Sequence, residues 1–258
     1  MIDLHTHILP GLDDGVATLA AGVDLARRAA ESGVDAIAAT PHVREDYPTS
    51  VEAMNQVLTE VRTCIEFERI PVKLLPGGEI GLEQLGARPP EELRGFGLAG
   101  NPDYLLVEAP YHGLPIDLED RLFRLRALGI TPVLAHPERS RALRDDPRLM
   151  RRIVESGTLV QLTASSLAGT HGSGLHETAF ALLDAGMAHL VASDAHGPEV
   201  GRTGLDAVVP ALSDQALADW LTCEVPAAIV SGDPLPPRPN RSRPRLFARH
   251  GRRARPSA

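Results

Sequence analysis

The stretch MIDLHTH, residues 1–7, sets a pattern that recurs along the whole chain. Ile2 and Leu4 belong to a short apolar run that predicts a β-strand, and His5 and His7 stand two residues apart at its end. Alternate residues of a strand leave the same face, so both imidazoles can grip one metal ion. Two close histidines are weak evidence alone, and the recurrence gives them weight.

Seven apolar runs predict strands, at residues 1–7, 34–40, 72–75, 104–108, 130–135, 158–162 and 188–192. At six of these seven exits a His, Asp or Glu follows within a few residues. The candidate ligands are His5, His7, Asp14, His42, Glu79, Glu108, His136, Asp194 and His196. Active sites of barrel enzymes are built from the loops that follow successive strands, so this recurrence favours such a site.

Helical patterns separate the strands, with Thr18, Ser50 and Asp146 as predicted N-caps. Strands that alternate with helices predict a parallel sheet, because parallel strands need long crossover connections. An open doubly wound sheet is one alternative. Ligand-type residues at both the first and the last strand favour closure into a seven-stranded, TIM-like (β/α) barrel, since only a barrel brings those strands together.

The composition is that of a globular protein: 258 residues, 43% hydrophobic and 23% charged. No run approaches the roughly 18 to 20 apolar residues of a membrane span, and the start lacks a secretion-signal pattern, so we predict a cytoplasmic protein. Cys64 and Cys223 lie far apart without a Cys-x-x-Cys pattern, which favours free thiols over a disulfide.

The net charge of −8 conceals an uneven distribution. Residues 235–258 contain eight of the 26 basic residues and none of the 34 acidic ones, so residues 1–234 carry about −16. Nucleic acid is therefore an unfavourable partner for the acidic body. We predict that residues 235–258 are a disordered, Arg/Pro-rich tail; the alternative is an arm that contacts a membrane surface or an acidic partner.

The candidate ligand set indicates a metal cluster. Four carboxylates around one pocket repel each other unless cations neutralise them. Nine ligands exceed the four of one tetrahedral ion, and the charge balance favours three dications over two. Imidazole and carboxylate ligands without thiolate suit Mn, Fe, Co or Zn rather than Ca.

Two arginines point to a phosphate ester as substrate. Arg139 and Arg202 lie in the loops after the fifth and seventh predicted strands, and a guanidinium matches phosphate oxygens bidentately. Other candidates for substrate contact in these loops are Arg44, Tyr47, His112 and His171. His189 precedes a strand and is predicted to be structural.

The ordered motifs HTH, TPH, HPER and SDAH resemble those of the PHP (polymerase and histidinol phosphatase) superfamily of metal-dependent phosphoesterases. The longer stretches HTHILPGLDDG (5–15), PGGEI (76–80), AHPER (135–139) and ASDAH (192–196) are similar to bacterial protein-tyrosine phosphatases of the CpsB/YwqE type. The resemblance implies a distorted (β/α)7 barrel of the PHP type, a phosphatase domain over residues 1–234, and three divalent ions, commonly manganese.

The resemblance also implies a ligand distribution. His5, His7, Glu79 and Asp194 would hold one ion, Glu79, Glu108 and His136 a second, and Asp14, His42 and His196 a third. Arg139 and Arg202 would contact the phosphate, and a metal-bridging hydroxide would attack phosphorus. The resemblance further implies that the substrate is the tyrosine-rich tail of a bacterial tyrosine kinase that controls capsule or exopolysaccharide export.

Two departures leave the substrate open. Val43 follows the TPH motif where many relatives have another histidine, and the loop through Pro48 is individual. We therefore weigh a phosphotyrosine phosphatase against a phosphatase of a small phosphomonoester such as histidinol phosphate, and against a non-catalytic, metal-stabilised barrel. Glu108 favours the first, because other branches of the superfamily more often place histidine there.

Overall fold

The computed structural model describes residues 1–111, 113–197 and 204–239. Its β-strands are β1 Ile2–Thr6, β2 Ala36–Ala39, β3 His42–Val43, β4 Lys73–Pro76, β5 Glu79–Gly81, β6 Tyr104–Glu108, β7 Thr131–Ala135, β8 Leu159–Thr163 and β9 Leu190–Ala192. Its α-helices are α1 Leu19–Glu31, α2 Val51–Phe67, α3 Gln84–Ala87, α4 Pro90–Arg94, α5 Leu118–Ala127, α6 Arg141–Asp145, α7 Pro147–Glu155, α8 Ala164–Ala168, α9 Ser173–Asp184, α10 Val208–Leu212, α11 Gln215–Asp219 and α12 Val225–Ser231. Short 3₁₀ turns cover Pro137–Arg139 and Leu205–Ala207, and a π-helical turn, Trp220–Glu224, joins α11 to α12.

The strands form a distorted barrel with seven strand positions, as predicted. Two of the predicted strands, β2 and β4, are each followed by a short strand that was not predicted, β3 and β5, and these short strands join the other sheet. One sheet has the order β1-β2-β4, the other β3-β5-β6-β7-β8-β9, and all pairings are parallel. Pro41 separates β2 from β3, because proline lacks the backbone N–H that a hydrogen bond between strands requires.

Hydrogen bonds between β1 and the segment after β9 close the barrel. The Asp194 N–H donates to the His5 carbonyl and the His7 N–H donates to the Ala195 carbonyl, both at 2.9 Å. The buried Asp3 carboxylate accepts from the Ser193 N–H at 3.0 Å. The first and last strands therefore meet, which an open sheet would not allow.

The predicted N-caps explain where three of the helices begin. Thr18 accepts a hydrogen bond from the Ala21 N–H and Ser50 accepts one from the Ala53 N–H. Asp146, which directly precedes Pro147, accepts hydrogen bonds from the backbone N–H groups of Arg148 and Leu149. Each cap satisfies donors that a helix N-terminus would otherwise leave unpaired. These helices cover the outside of the barrel, so its strands are buried on both faces.

The start of the predicted tail packs against the barrel. The Trp220 indole N–H donates to the Pro236 carbonyl at 3.0 Å. The Arg238 guanidinium lies over the Trp220 ring and donates to the carbonyls of Leu183 and Ala188. The ordered part of the chain thus extends at least to residue 239. Residues 240–258 lie outside the described residues.

Candidate metal centre

All nine predicted ligands meet at the carboxyl edge of the barrel. Their ligand atoms form four overlapping groups, each with atoms within 4.8 Å of one another. The groups are His5–His7–Asp194, His5–Glu79–His136, His42–Glu79–Glu108 and His7–Asp14–His42–His196. Together the four groups contain every one of the nine residues.

The innermost group has the dimensions of a metal site. His5 Nε2 and His7 Nε2 face each other at 3.1 Å, and each lies 3.2 Å from Asp194 Oδ1 and 3.4 Å from Glu79 Oε2. The triangle formed by His5 Nε2, His7 Nε2 and Asp194 Oδ1 has its centre about 1.8 Å from each corner, so an ion just above this centre would lie about 2 Å from all three atoms, the usual Zn–N or Zn–O distance. All four side chains are buried. The residues present therefore fit a divalent ion.

Glu79 is the carboxylate that connects the groups. Its Oε1 lies 2.9 Å from His136 Nε2, and its Oε2 lies 2.8 Å from His42 Nδ1. Despite this approach, neither His42 Nδ1 nor Glu79 Oε2 has a hydrogen-bond partner of acceptable geometry within the described part of the chain. Buried polar atoms are normally satisfied, so lone pairs that converge without bonding indicate a place for a cation.

The group around Asp14 is the most open to solvent. Asp14 Oδ1 lies 3.5 Å from His42 Nε2 and 3.5 Å from His196 Nε2. The Asp14 side chain is 50% exposed and that of His196 is 36% exposed. Catalytic metal sites keep an accessible coordination position, and this side of the pocket can supply one.

Glu108 is placed differently from the distribution that the resemblance implies. Its Oε2 lies 3.7 Å from His42 Nδ1 and accepts a hydrogen bond from Arg44 Nη1 at 2.8 Å. Glu108 therefore groups with His42 and Glu79, whereas His136 groups with Glu79 and His5. Burial and the neighbouring Glu79 raise the pKa of Glu108. A cation near these carboxylates would relieve their repulsion.

The histidines and carboxylates of the centre shift each other's pKa. Burial alone would lower the pKa of His5, but Glu79 and Asp194 outweigh it and raise this pKa to about 9. Burial would likewise raise the pKa of Glu79, but His5, His136 and His42 hold it well below its usual value. The carboxylates thus need positive charge, which divalent ions can supply instead of protons.

Two supporting side chains orient the first histidine pair, and the sequence alone did not reveal them. Asp13 Oδ2 lies 2.7 Å from His7 Nδ1 and also accepts from the His42 N–H at 2.9 Å. Gln161 Oε1 lies 3.0 Å from His5 Nδ1. Each partner can accept a hydrogen bond from Nδ1–H, which leaves Nε2 as the ligand atom. The available signals were the paired aspartates at 13–14 and a glutamine within the mostly apolar β8.

Strained backbone delivers two of the ligands into the pocket. His136 has φ 30° and Asp194 has φ 53°, in the left-handed region that non-glycine residues seldom adopt. Such strain persists only where the surroundings enforce it, and it is concentrated at functional sites. Here it turns the chain sharply at two strand exits.

Of the two predicted phosphate-binding arginines, the structure describes Arg139. Arg139 is half-buried at the pocket, and its Nη1 donates to Asp194 Oδ2. Its Nε has no hydrogen-bond partner among the residues that the structure describes. Arg202 and the substrate-contact candidate His112 lie outside the described residues.

The remaining substrate-contact candidates surround the pocket. Tyr47 stacks on His42 with ring centroids 5.7 Å apart, and Arg44 lies over the Tyr47 ring. His171 Nδ1 lies 3.0 Å from Ser165 Oγ, and burial together with Arg139 lowers the pKa of His171. Tyr111, which sequence reasoning missed, lies against His136 with ring centroids 6.3 Å apart.

Comparison with known proteins identifies the family. Residues 1–220 match the family model described as "Capsular polysaccharide synthesis, CpsB/CapC". The chain belongs to the CpsB/CapC family. It is 37% identical over 199 residues to the tyrosine-protein phosphatase YwqE of Bacillus subtilis, covering 76% of this chain and 77% of YwqE. It is 31% identical to the putative tyrosine-protein phosphatase CapC of Staphylococcus aureus over the same shares of the two chains.

A solved structure supports the same relationship. The chain superposes with a TM-score of 0.82 and 32% identity on a structure described as coming from YwqE of Bacillus subtilis and CpsB of Streptococcus pneumoniae, "unique metal-dependent tyrosine phosphatases". The match covers 93% of this chain and all of that chain. The PHP-type barrel expected from the sequence is thereby confirmed.

Two further expectations can be compared with the described residues. Cys64 and Cys223 are both free thiols. In residues 1–111, 113–197 and 204–239, none of the helices combines the length and apolar character required to cross a bilayer.

Proposed function

We propose that this member of the CpsB/CapC family is a metal-dependent protein-tyrosine phosphatase. The observation that carries the proposal is the convergence of nine imidazole and carboxylate ligands, beside a half-buried arginine, at the carboxyl edge of a barrel. Its relatives YwqE and CpsB are named tyrosine-protein phosphatases. Divalent ions held by these residues would supply Lewis acidity and a source of hydroxide near neutral pH.

The ligands would be shared among three ions. Glu79 has both oxygens directed at different histidines, so it suits the bridging position. His5, His7 and Asp194 complete one set, His136 and Glu108 flank a second, and the Asp14 group would hold the third. Manganese is our proposed metal, with iron, cobalt and zinc as alternatives, because the ligands are nitrogen and oxygen without sulfur.

The chain's own side chains would position the phosphate. Arg139 has guanidinium N–H groups beyond the one that binds Asp194, and these can contact nonbridging phosphate oxygens. Arg202 is proposed as its partner on the basis of sequence position. Asp13 and Gln161 keep His7 and His5 in the orientation that leaves Nε2 free of a proton.

The proposed physiological substrate is the phosphorylated tail of a bacterial tyrosine kinase that controls capsule or exopolysaccharide synthesis. The family description, capsular polysaccharide synthesis, supports this assignment. The kinase partner, the cytoplasmic location, the boundary at residue 234 and any contact of the basic tail stay predictions.

Turnover of a phosphotyrosine peptide beside histidinol phosphate tests the proposal. We expect the manganese-loaded protein to hydrolyse the peptide with the larger kcat/KM and to lose this activity on chelation. A larger kcat/KM for histidinol phosphate would favour a small-molecule phosphatase. Absence of turnover of both substrates, and of an aryl phosphate, at full metal loading would indicate a non-catalytic barrel.

A further inference from the structure

Tyr111 lies at the mouth of the metal centre, next to His136, Glu108 and Arg139. Its ring lies against that of His136 at 6.3 Å between centroids, with an interplanar angle of 30°. Its hydroxyl interacts with the Arg139 guanidinium. Burial and the neighbouring Glu108 raise the pKa of the Tyr111 phenol, so the hydroxyl stays protonated at neutral pH.

A cleft of about 440 Å³ opens beside this tyrosine. Tyr111 and Pro110 form one side of the cleft, Arg44 and Glu83 contribute to the remainder, and Glu108 reaches it from the metal centre. Glu108 is thus the candidate ligand that lines the cleft, and the cleft has room for an aromatic ring. Tyr111 is 44% exposed, which leaves part of its ring without a packing partner among the described residues.

The segment that carries Tyr111 is fixed at several points. The Tyr111 carbonyl accepts a hydrogen bond from the Arg141 N–H at 3.2 Å, and the Pro110 carbonyl accepts one from the Ser140 hydroxyl at 3.0 Å. Both donors directly follow the segment that contains His136 and Arg139. The ring is thereby held in register with the proposed phosphate-binding arginine, and such a fixed aromatic side chain contributes contact area at little entropic cost.

We propose that the ring of Tyr111 forms the wall against which the aryl group of the substrate packs, and that it thereby makes the site selective for aryl over alkyl phosphate esters. The inference rests on the proposed function, since it places the phosphoryl group at Arg139. Aromatic pairs prefer centroid separations of about 4.5 to 7 Å, and a ring in the cleft lies within reach of this wall.

The test compares two ligands that cannot be hydrolysed. Phenylphosphonate and methylphosphonate share the phosphoryl-like group and differ in the ring. Their dissociation constants for the manganese-loaded protein can be measured by calorimetry, which does not depend on turnover. The variants are Tyr111→Ala, which removes the ring, and Tyr111→Phe, which keeps it, with metal content measured for each. Phe123→Ala is the control, because Phe123 is an exposed aromatic residue on α5 that does not line the cleft.

We expect Tyr111→Ala to reduce the preference for phenylphosphonate over methylphosphonate by about fivefold, the size of one aromatic contact. Methylphosphonate affinity should stay the same, and both Tyr111→Phe and Phe123→Ala should retain the wild-type preference. An unchanged preference in Tyr111→Ala, or an equal loss of preference in Tyr111→Phe, would overturn the proposal. Hydrolysis of p-nitrophenyl phosphate by the same protein tests the phosphatase assignment independently. Failure of wild type to bind either phosphonate would overturn the proposal as well.

Discussion

His7 Nδ1 lies 2.7 Å from Asp13 Oδ2, and this contact determines which nitrogen of the His7 ring faces the metal centre. Burial would raise the pKa of Asp13, but His7 and two backbone N–H groups, those of Gly15 and His42, keep it below its usual value. An ionised Asp13 accepts a hydrogen bond from the Nδ1–H of neutral His7 and leaves Nε2 as the metal ligand.

Asp13→Asn should weaken metal binding by about 10- to 100-fold, the usual effect of losing a partner that orients a ligand. The amide NH2 would face His7 Nδ1 and favour the tautomer with its proton on Nε2. Competition with a chromophoric chelator measures the affinity. Asp24→Asn is the control, because Asp24 forms ion pairs with Arg27 and Arg28 on the outside of α1. Equal affinities of the two variants would contradict the orienting role.

Metal analysis of the purified protein should give about three divalent equivalents per chain, because nine ligands with four carboxylates need that many cations. Chelation should abolish hydrolysis of aryl phosphates, and readdition of manganese should restore it. Full activity with one equivalent or fewer would exclude the three-ion cluster.

Arg139→Ala should lower kcat/KM by about two to three orders of magnitude while the protein keeps its metal, since the guanidinium stabilises phosphoryl charge and cannot ligate a cation. His136→Ala should lose metal as well as activity, because His136 Nε2 faces Glu79 Oε1 at 2.9 Å. Arg141→Ala is the matched control: its side chain is 74% exposed and pairs with Asp145. Wild-type catalytic efficiency in Arg139→Ala would disprove the phosphate contact.

Phosphotyrosine peptides should be hydrolysed faster than matched phosphoserine peptides, by about a hundredfold or more, a range that general acid catalysis typically spans. A tyrosyl leaving group has a pKa of about 10 and can depart without a proton, whereas a seryl alkoxide is far more basic. The carboxylates and most histidines of the pocket belong to the candidate ligand set. Equal turnover at equal metal loading would show that the site contains a general acid.

His189 should make stability depend on pH independently of the metal centre. Burial and the nearby Arg238 lower the pKa of His189 from 6.5 to about 4, and its Nδ1 accepts the Val160 N–H at 3.1 Å. The unfolded chain therefore binds the proton first, so stability is complete above pH 6.5 and declines as pH falls toward 4. Between pH 7 and pH 5 the loss should be about 2 kcal/mol.

Chemical unfolding of wild type and His189→Asn at both pH values isolates this effect, because contributions common to the two proteins cancel in the difference. The asparagine keeps a hydrogen-bond acceptor for Val160 and has no titrating group. An identical loss of stability in wild type and variant would assign the acid sensitivity to other residues.

Prediction from sequence succeeded where local chemistry decides the outcome. Thr18, Ser50 and Asp146 cap their helices because the capping bonds are made within three residues. Seven of the strands were located within about two residues, since parallel strands buried on both faces read as apolar runs. The short strands β3 and β5 were not predicted, because they depend on which sheet each segment joins.

The sequence by itself determined the alternation of strands and helices and the identity of the nine side chains at strand exits, because apolar runs and chain order are local properties. Only the tertiary structure decided which of those side chains share a position. Closure of the barrel sets His5 beside Asp194, 189 residues away, and places Glu108 nearer His42 than the implied ligand sets suggested. Gln161 and Tyr111 gained their roles in the same way: Gln161 depends on His5 and Tyr111 on His136, neighbours brought close by folding, and no local pattern encodes a distance across the barrel.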